Sequence, residues 1–213
     1  MEQITVILTS CGRFDLLEET LESFYMVNTY PIFDFFIYED KGTKNYTGED
    51  IDAILNLIAK FGDPIWIFPK QRTGQIVALD TLMDNGKTDY YFNLEDNWVF
   101  IRDGFIPASL DILEKYEMCN QVQLRGKDFI NGQPSVMKDG VLQLEKNYNG
   151  RWHGWGFNPS VRRRLDYSII APYGMHTTFN PVRPSESEAI LSKKYSDRGY
   201  FTAVLPEPYI IIS

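Results

Sequence analysis

The first hundred residues alternate between two hydrophobic periods, and this alternation restricts the fold more than any other feature of the sequence. The run from Ile4 to Thr9 is rich in β-branched residues, which is typical of a buried strand. From Phe14 to Tyr25, large apolar residues recur every three or four positions, which predicts an amphipathic helix. The same exchange of periods continues through residues 35–38, 65–68 and 90–94, which are predicted strands. The order β-α-β-α-β-α-β predicts a mostly parallel sheet with helices on both faces.

Three further helices are predicted. Thr47 is a good N-cap, and it precedes a helix that carries Ile51, Leu55 and Ile58. A helix through residues 76–82 is stopped by Asn85-Gly86, and another is predicted over residues 107–116.

The second half of the chain is less regular. We expect a strand at 121–125, a hairpin or loops over 127–149, a helix opened by Glu186 and Glu188, and a last strand at 209–212. No linker or repeat interrupts the 213 residues, so we expect one domain. Its nucleotide-binding half would cover about 1–100 and its acceptor-side half about 101–213.

The net charge limits the partners that the protein can bind, and the cysteine content indicates its cellular compartment. The net charge of −8 argues against a nucleic-acid polymer as partner, although a phosphorylated small molecule is compatible if a cation screens it. Two distant thiols, Cys11 and Cys119, fit a reducing compartment better than a disulfide framework. No signal peptide is recognisable, and no apolar run approaches the roughly 20 residues that span a bilayer. We therefore expect a cytoplasmic protein without a membrane span.

Polar residues follow each predicted strand, where a parallel sheet places its ligands. They form four groups: Thr9 to Arg13, Glu39-Asp40, Lys70 to Arg72, and Glu95 to Asn97. The adjacent carboxylates of Glu95 and Asp96 suit a hard cation, Mn²⁺ or Mg²⁺, that bridges to a diphosphate. The alternative for this acidic pair is a solvated turn or a helix cap.

These groups resemble, in order and spacing, the motifs of GT-A fold glycosyltransferases of the family 2 type. The opening strand and loop, Tyr38-Glu39-Asp40-Lys41-Gly42, Arg72-Thr73-Gly74 and Leu94-Glu95-Asp96-Asn97 carry the resemblance. Phe157-Asn158-Pro159 with Arg162 to Arg164 is similar to a segment of small bacterial and viral members. A viral capsid-glycosylating enzyme of chlorella viruses is a candidate relative. A viral origin would place the protein in the host cytoplasm.

The resemblance implies a role for each matching residue of the donor site. Thr9 and Cys11 would line the base pocket with Arg13 in the same loop, and Glu39 would accept from uracil. Arg72 would pair with the uracil or pyrophosphate region, Glu95 would meet the ribose, and Asp96 would bind the metal. The sequence departs from the family pattern by having Glu rather than Asp at 39 and 95.

Candidates for the acceptor side come later in the chain. An inverting transfer needs a carboxylate base, for which Glu186 and Glu188 are candidates; an ordinary acidic first helical turn is the alternative. A loop dense in aromatic residues and glycines contains Trp152, His153 and Trp155. This pattern indicates a sugar-binding loop, with core packing as the alternative. A late histidine, His153 or His176, could also complete a metal site, and a packed or surface imidazole is the simpler interpretation. The triple arginine could touch a phosphate or an acidic acceptor, although such runs more often lie on a solvated face.

The hypothesis is a metal-dependent glycosyltransferase that moves a sugar from a UDP-sugar donor to a glycan or glycoprotein acceptor. A nucleotidyltransferase of related architecture is one alternative, although the single glycine between Thr9 and Arg13 argues against its phosphate loop. A non-catalytic domain that binds sugar or nucleotide is the other.

Overall fold

The structure is a computed structural model that describes residues 1–127, 132–177 and 184–213. The strands are β1 (Ile4–Ser10), β2 (Asp34–Glu39), β3 (Ile65–Ile67), β4 (Tyr90–Glu95), β5 (Trp98–Phe100), β6 (Cys119–Gln123), β7 (Ser135–Lys138), β8 (Val141–Leu144), β9 (Ser160–Arg163), β10 (Phe201–Val204) and β11 (Ile210–Ile212). The α-helices are α1 (Phe14–Val27), α2 (Gly48–Phe61), α3 (Gln75–Asn85), α4 (Phe105–Lys115), α5 (Arg164–Ser168) and α6 (Pro184–Asp197).

Nine strands form one sheet in the order β3-β2-β1-β4-β9-β6-β10-β8-β7, and β5 pairs with β11 beside it. The four strands predicted from the first half are parallel neighbours. Strand β9 runs antiparallel to both β4 and β6, so β4 and β6 point the same way and end at the same edge. The predicted fold, a mostly parallel α/β sheet followed by a smaller mixed region, is confirmed.

Helices cover both faces of the sheet, as predicted. Strand β1 is buried along its whole length, and its side chains alternate between the two faces. Val6 and Leu8 pack in a core formed with α1, α2 and α4, whereas Ile7 packs in a second core with α3, α5 and α6. The ends of the central strands are thereby fixed in position from both sides.

Helix α2 buries a different face from the one predicted. Ile51, Leu55 and Ile58 are 48%, 57% and 37% exposed, whereas Ile54 and Leu57 are buried against the sheet. Both sets have helical spacing, so periodicity alone could not choose between them. The N-cap prediction was correct: Thr47 and Asp50 form a reciprocal capping box.

The remaining local predictions were right to within a few residues. Asp139-Gly140 makes the turn of the β7–β8 hairpin, and α6 begins just before Glu186. The Asn131 turn signal lies outside the described residues. In the described parts of the chain, every helix is too short or too polar to cross a bilayer.

Candidate active site

A cleft of about 220 Å³ opens at the carboxyl ends of β1, β2 and β4. Residues from all four predicted polar groups line it: Thr9, Ser10, Cys11, Arg13, Asp40, Arg72, Gly74, Gln75, Ala78, Glu95 and Asp96. The members of these groups that do not line it are Gly12, Glu39, Lys70, Gln71 and Asn97. The predicted convergence of these groups on one sheet edge is therefore seen in the structure. We call this space the donor cleft, after the role that the sequence analysis predicts for it.

Glu39 lies beneath the floor of the donor cleft and is fully buried. Its Oε1 accepts the backbone N–H of Gly12 at 2.8 Å and that of Lys41 at 3.0 Å, which ties β2 to the loop after β1. Burial raises the pKa of this carboxyl, and the Ser10 side chain and the two N–H groups oppose the shift.

Asp40 organises the opposite wall, where α3 begins. Its Oδ1 accepts the N–H and hydroxyl of Thr73 at 2.7 and 2.8 Å, and its Oδ2 accepts the N–H of Gly74 at 2.7 Å. A carboxylate at the start of a helix satisfies free N–H groups there and favours the helix dipole. Gly42 touches the same loop: a Cβ built on it would lie 2.8 Å from the Arg72 nitrogen. These contacts fix where exposed Arg72 enters the cleft.

Glu95 is half-buried at the end of β4, between two neutral donors. Its Oε1 accepts the Gln75 amide at 2.7 Å, and its Oε2 accepts the Trp98 indole N–H at 3.3 Å. Burial raises the pKa of the Glu95 carboxyl, and these two hydrogen bonds oppose the rise.

Asp96 points into the loop after β1, and only 1% of its side chain is exposed. Its Oδ2 accepts from Arg13 Nε at 3.2 Å and from the Cys11 N–H at 3.3 Å, while Arg13 Nη2 contacts Oδ1. Glu95 and Asp96 are therefore carboxylates of adjacent residues with different partners, one neutral and one cationic.

The donor set fits a divalent cation that binds together with a phosphorylated ligand. Hard cations such as Mg²⁺ commonly take one or two carboxylates and complete their shell with water and substrate phosphates. No cluster of three or more Asp, Glu, His or Cys side chains suited to a metal occurs among the residues that the structure describes. Asp96 and Glu95 are the adjacent carboxylates of the donor cleft that could hold such a cation.

A second pocket has a volume of about 250 Å³. We call it the acceptor pocket, after the role that the sequence analysis predicts for its residues. It is lined by Gln123, Arg125, Gln133, Tyr148, Trp152, Gly154, Trp155, Gly156, Asn158, Ser185 and Glu188. Amides, hydroxyls and aromatic rings around one carboxylate are groups that suit a polyhydroxylated ring.

Glu188 is the acidic residue of the acceptor pocket. Its Oε1 accepts the backbone N–H of Phe157 at 2.7 Å, which holds the carboxyl in place. Burial, the largest cause, and the negative charge of Glu95 raise the pKa of Glu188 to about 7, against the Phe157 hydrogen bond and the charges of Arg162 and Arg125. The pocket and the cleft adjoin, because Arg125 of the pocket stacks on Trp98, whose indole N–H donates to Glu95 of the cleft.

Arg125 is a site residue that the sequence analysis missed. It is 6% exposed, stacks over the Trp98 ring at 5.2 Å, and has Glu95 and Glu188 as its charged neighbours. Burial lowers the pKa of its guanidinium, and the two carboxylates oppose that shift. One signal could have found it: Arg125 follows β6, whose end lies at the same edge as that of β4.

The other predicted acceptor residues are divided by the structure. Trp152 is partly buried and lines the acceptor pocket, whereas Trp155 is 1% exposed and belongs mainly to the core, where Arg162 stacks on it at 4.9 Å. Glu186 is exposed and does not line the pocket. His153 belongs to the 150–154 loop but lines a separate groove together with Lys193. Neither His153 nor His176 lines the donor cleft.

The triple arginine is neither a solvated face nor part of either pocket. Arg162 is buried in β9, where its Nε donates to Ser160 and its Nη2 to the Gly156 carbonyl. Arg163 pairs with Asp166 at 3.0 Å. This run therefore holds β9 to its neighbours and supports the loop that carries Gly156.

Comparison with known proteins gives structural matches only. Neither a protein family nor a curated sequence matches the chain. The mannosyltransferase PcManGT from Pyrobaculum calidifontis, solved with GDP-Man and Mn²⁺, superposes with a TM-score of 0.66 at 14% identity, covering 97% of this chain and 55% of that one. TarS from S. aureus superposes with a TM-score of 0.67 at 10% identity, covering 99% of this chain and 36% of that one. The TarS chain of residues 1–349 gives 0.61 at 12%, with 99% and 60% covered.

The chain thus spans roughly one third to three fifths of these structures. Structural matches at such low sequence identity establish the architecture only, and the chemistry must be argued from the residues of the site. The architecture of this chain is the GT-A fold, which it shares with these glycosyltransferases.

Proposed function

We propose that this protein transfers a sugar from a nucleoside-diphosphate donor, held in the donor cleft, to a hydroxyl of a glycan in the acceptor pocket. The observation that carries the proposal is the position of Glu188. Its carboxyl lies in the acceptor pocket, is fixed by Phe157, and has a pKa of about 7. A general base works best when its pKa lies near the working pH.

In the proposed step, Glu188 takes the proton of the acceptor hydroxyl as that oxygen bonds to the anomeric carbon. The bond from this carbon to the diphosphate oxygen breaks, and the diphosphate leaves with the electron pair. A base on the acceptor side favours direct displacement, so we propose inversion at the anomeric carbon. Arg125, between Glu95 and Glu188, offsets the charge of the two carboxylates.

Residues of the donor cleft would hold the nucleotide and its phosphates. We propose that Thr9, Cys11 and the buried Glu39 form the base end, that Arg72 binds the uracil or pyrophosphate region, and that Glu95 meets the ribose. Asp96, with Glu95, would hold Mn²⁺ or Mg²⁺. A bound cation supplies Lewis-acid stabilisation of the departing diphosphate. UDP is the proposed nucleotide; because uracil and guanine can both donate an N–H to a carboxylate, the carboxylates of the cleft would not by themselves select between these bases.

Asp96→Asn tests the donor half of the proposal. Titration of UDP with Mn²⁺ and with EDTA should show metal-dependent binding to the wild-type chain, and the variant should lose it. Asp111→Asn, an exposed carboxylate on α4, is the matched control and should bind as wild type does. GDP and CDP titrated in parallel test the choice of UDP. Metal-dependent UDP binding that survives in Asp96→Asn would remove the assigned role.

Product analysis tests the transfer itself. Incubation with UDP-sugars and a panel of neutral glycosides should release UDP and form a glycoside of inverted configuration, which NMR identifies. A nucleotidyltransferase would instead release pyrophosphate from a nucleoside triphosphate. A purely binding domain would form neither product although it binds nucleotide. Either result would refute the proposed activity.

A further inference from the structure

The loop after β1 brings a cation to the carboxylate assigned to metal binding. One guanidinium, that of Arg13, donates to both oxygens of Asp96: Nε to Oδ2 at 3.2 Å, and Nη2 to Oδ1. The carboxylate is buried, whereas half of the Arg13 side chain is exposed. A forked contact of this kind is among the stronger ion pairs in proteins.

The pair has a physical reason within the cleft. A buried carboxylate without a cationic partner carries a large desolvation penalty. Glu95 has the Gln75 amide and the Trp98 indole as donors, while Asp96 has the guanidinium and the Cys11 N–H. Arg13 therefore supplies at Asp96 the positive charge that a metal ion would also supply.

We propose that Arg13 is an internal counter-cation that competes with the divalent cation for Asp96 and so sets the metal affinity of the free protein. The inference rests on the proposed function, because it takes Asp96 as a metal ligand. Metal binding must displace at least part of the guanidinium. Displacement is feasible since Arg13 is half exposed and can return to water.

The same competition couples metal binding to nucleotide binding. Arg13 lines the donor cleft, so a diphosphate there offers the released guanidinium an anionic partner. Nucleotide binding then lowers the cost of displacing Arg13, and the cation should bind more tightly when UDP is present. By linkage, the cation strengthens UDP binding by the same factor. The wild-type cleft therefore favours joint loading of metal and nucleotide over binding of metal alone.

The test is a titration with Mn²⁺ alone, followed by electron paramagnetic resonance of the free ion. Arg13→Gln should bind Mn²⁺ at least about tenfold more tightly than wild type, a shift of about 1.4 kcal/mol. Arg13→Lys, which keeps the charge without the fork, should lie between them. Arg151→Gln, an exposed arginine outside both pockets, is the control and should match wild type. With UDP present, the affinity gain should be larger for wild type than for Arg13→Gln.

Equal or weaker Mn²⁺ binding by Arg13→Gln, with an unchanged urea unfolding curve, would overturn the inference. If Arg13→Gln does not fold, unchanged Mn²⁺ affinity in Arg13→Lys has the same force. Failure of the proposed function is a separate result. A wild-type chain that transfers sugar while all variants bind Mn²⁺ equally refutes only the role of Arg13. Tighter binding by Arg13→Gln without transfer by the wild-type chain refutes only the activity.

Discussion

Replacement of Glu188 by Gln should slow transfer by at least about a hundredfold and stabilise the fold above neutral pH. The variant keeps an oxygen that can accept the Phe157 N–H but has no proton-accepting carboxylate. The loss of a general base typically costs a factor of about 10² to 10⁴ in rate. The kcat of Glu188→Gln should fall by a factor within that range. UDP affinity should be retained, because Glu188 lies outside the donor cleft.

The size of the stability change follows from the pKa of Glu188. Its pKa is about 7 in the folded chain against an ordinary 4.5, a difference of about 2.5 units. At about 1.4 kcal/mol per unit, the ionised carboxyl destabilises the fold by roughly 3 kcal/mol. Between these two pH values the unfolded chain releases the proton and the folded chain keeps it, so stability falls as pH rises. The penalty is complete above about pH 7.

Urea unfolding at pH 4.5 and pH 8 measures this difference. Between these two pH values, the free energy of unfolding of wild type should fall by about 2–3 kcal/mol more than that of Glu188→Gln. The kcat/KM of wild type should rise with pH and level off above about 7. Asp111→Asn, which removes an exposed carboxylate on α4, is the comparison and should leave both the rate and the pH dependence of stability unchanged. Identical pH dependence of stability in wild type and Glu188→Gln would refute the burial argument, and full activity in Glu188→Gln would refute the base.

Two further substitutions test the scaffold. Gly42→Ala should destabilise the fold by roughly 1–3 kcal/mol and weaken UDP binding, because Gly42 has a φ of +85° and its Cβ would press on the Arg72 backbone. Urea unfolding and UDP titration check this against Gly48→Ala, where a Cβ meets nothing within 4 Å; equal behaviour of the two variants contradicts the steric argument. Thr47→Ala should cost about 1 kcal/mol by removing the capping box, with activity retained, and an unchanged unfolding midpoint would mean that the cap contributes little.

The first half of the fold could be predicted because its signals are local. The run from Ile4 to Ser10 is apolar enough to require burial on both faces, and the structure buries every residue of it. The apolar residues of α1 recur at helical spacing along a single stripe, so the buried face was unambiguous. Since parallel strands end at one edge, the positions of Glu39, Arg72 and Asp96 could be inferred before any coordinates.

Helix α2 and strand β9 are elements in which local sequence signals could not predict which residues are buried. Helix α2 has two apolar stripes, and either could face the core by its spacing. Tertiary packing buries the stripe that contains Ile54 and Leu57. The triple arginine looks like a solvated face in isolation, but β9 lies between β4 and β6, so Arg162 is buried and must find its partners there.

By itself, the sequence determined an α/β chain with four groups of polar residues at one edge of a parallel sheet. The tertiary structure was needed to show that both Trp152 and Trp155 line the pocket but that Trp155 is otherwise a core residue. It was also needed to distinguish Glu188, which lines the pocket, from Glu186 two residues away, which does not. It also made Glu95 and Glu188 the charged neighbours of Arg125 and placed Arg13 on Asp96. The physical reason is that periodicity and strand ends depend on neighbours along the chain. Burial, pKa and ion pairing depend on groups that only folding brings together.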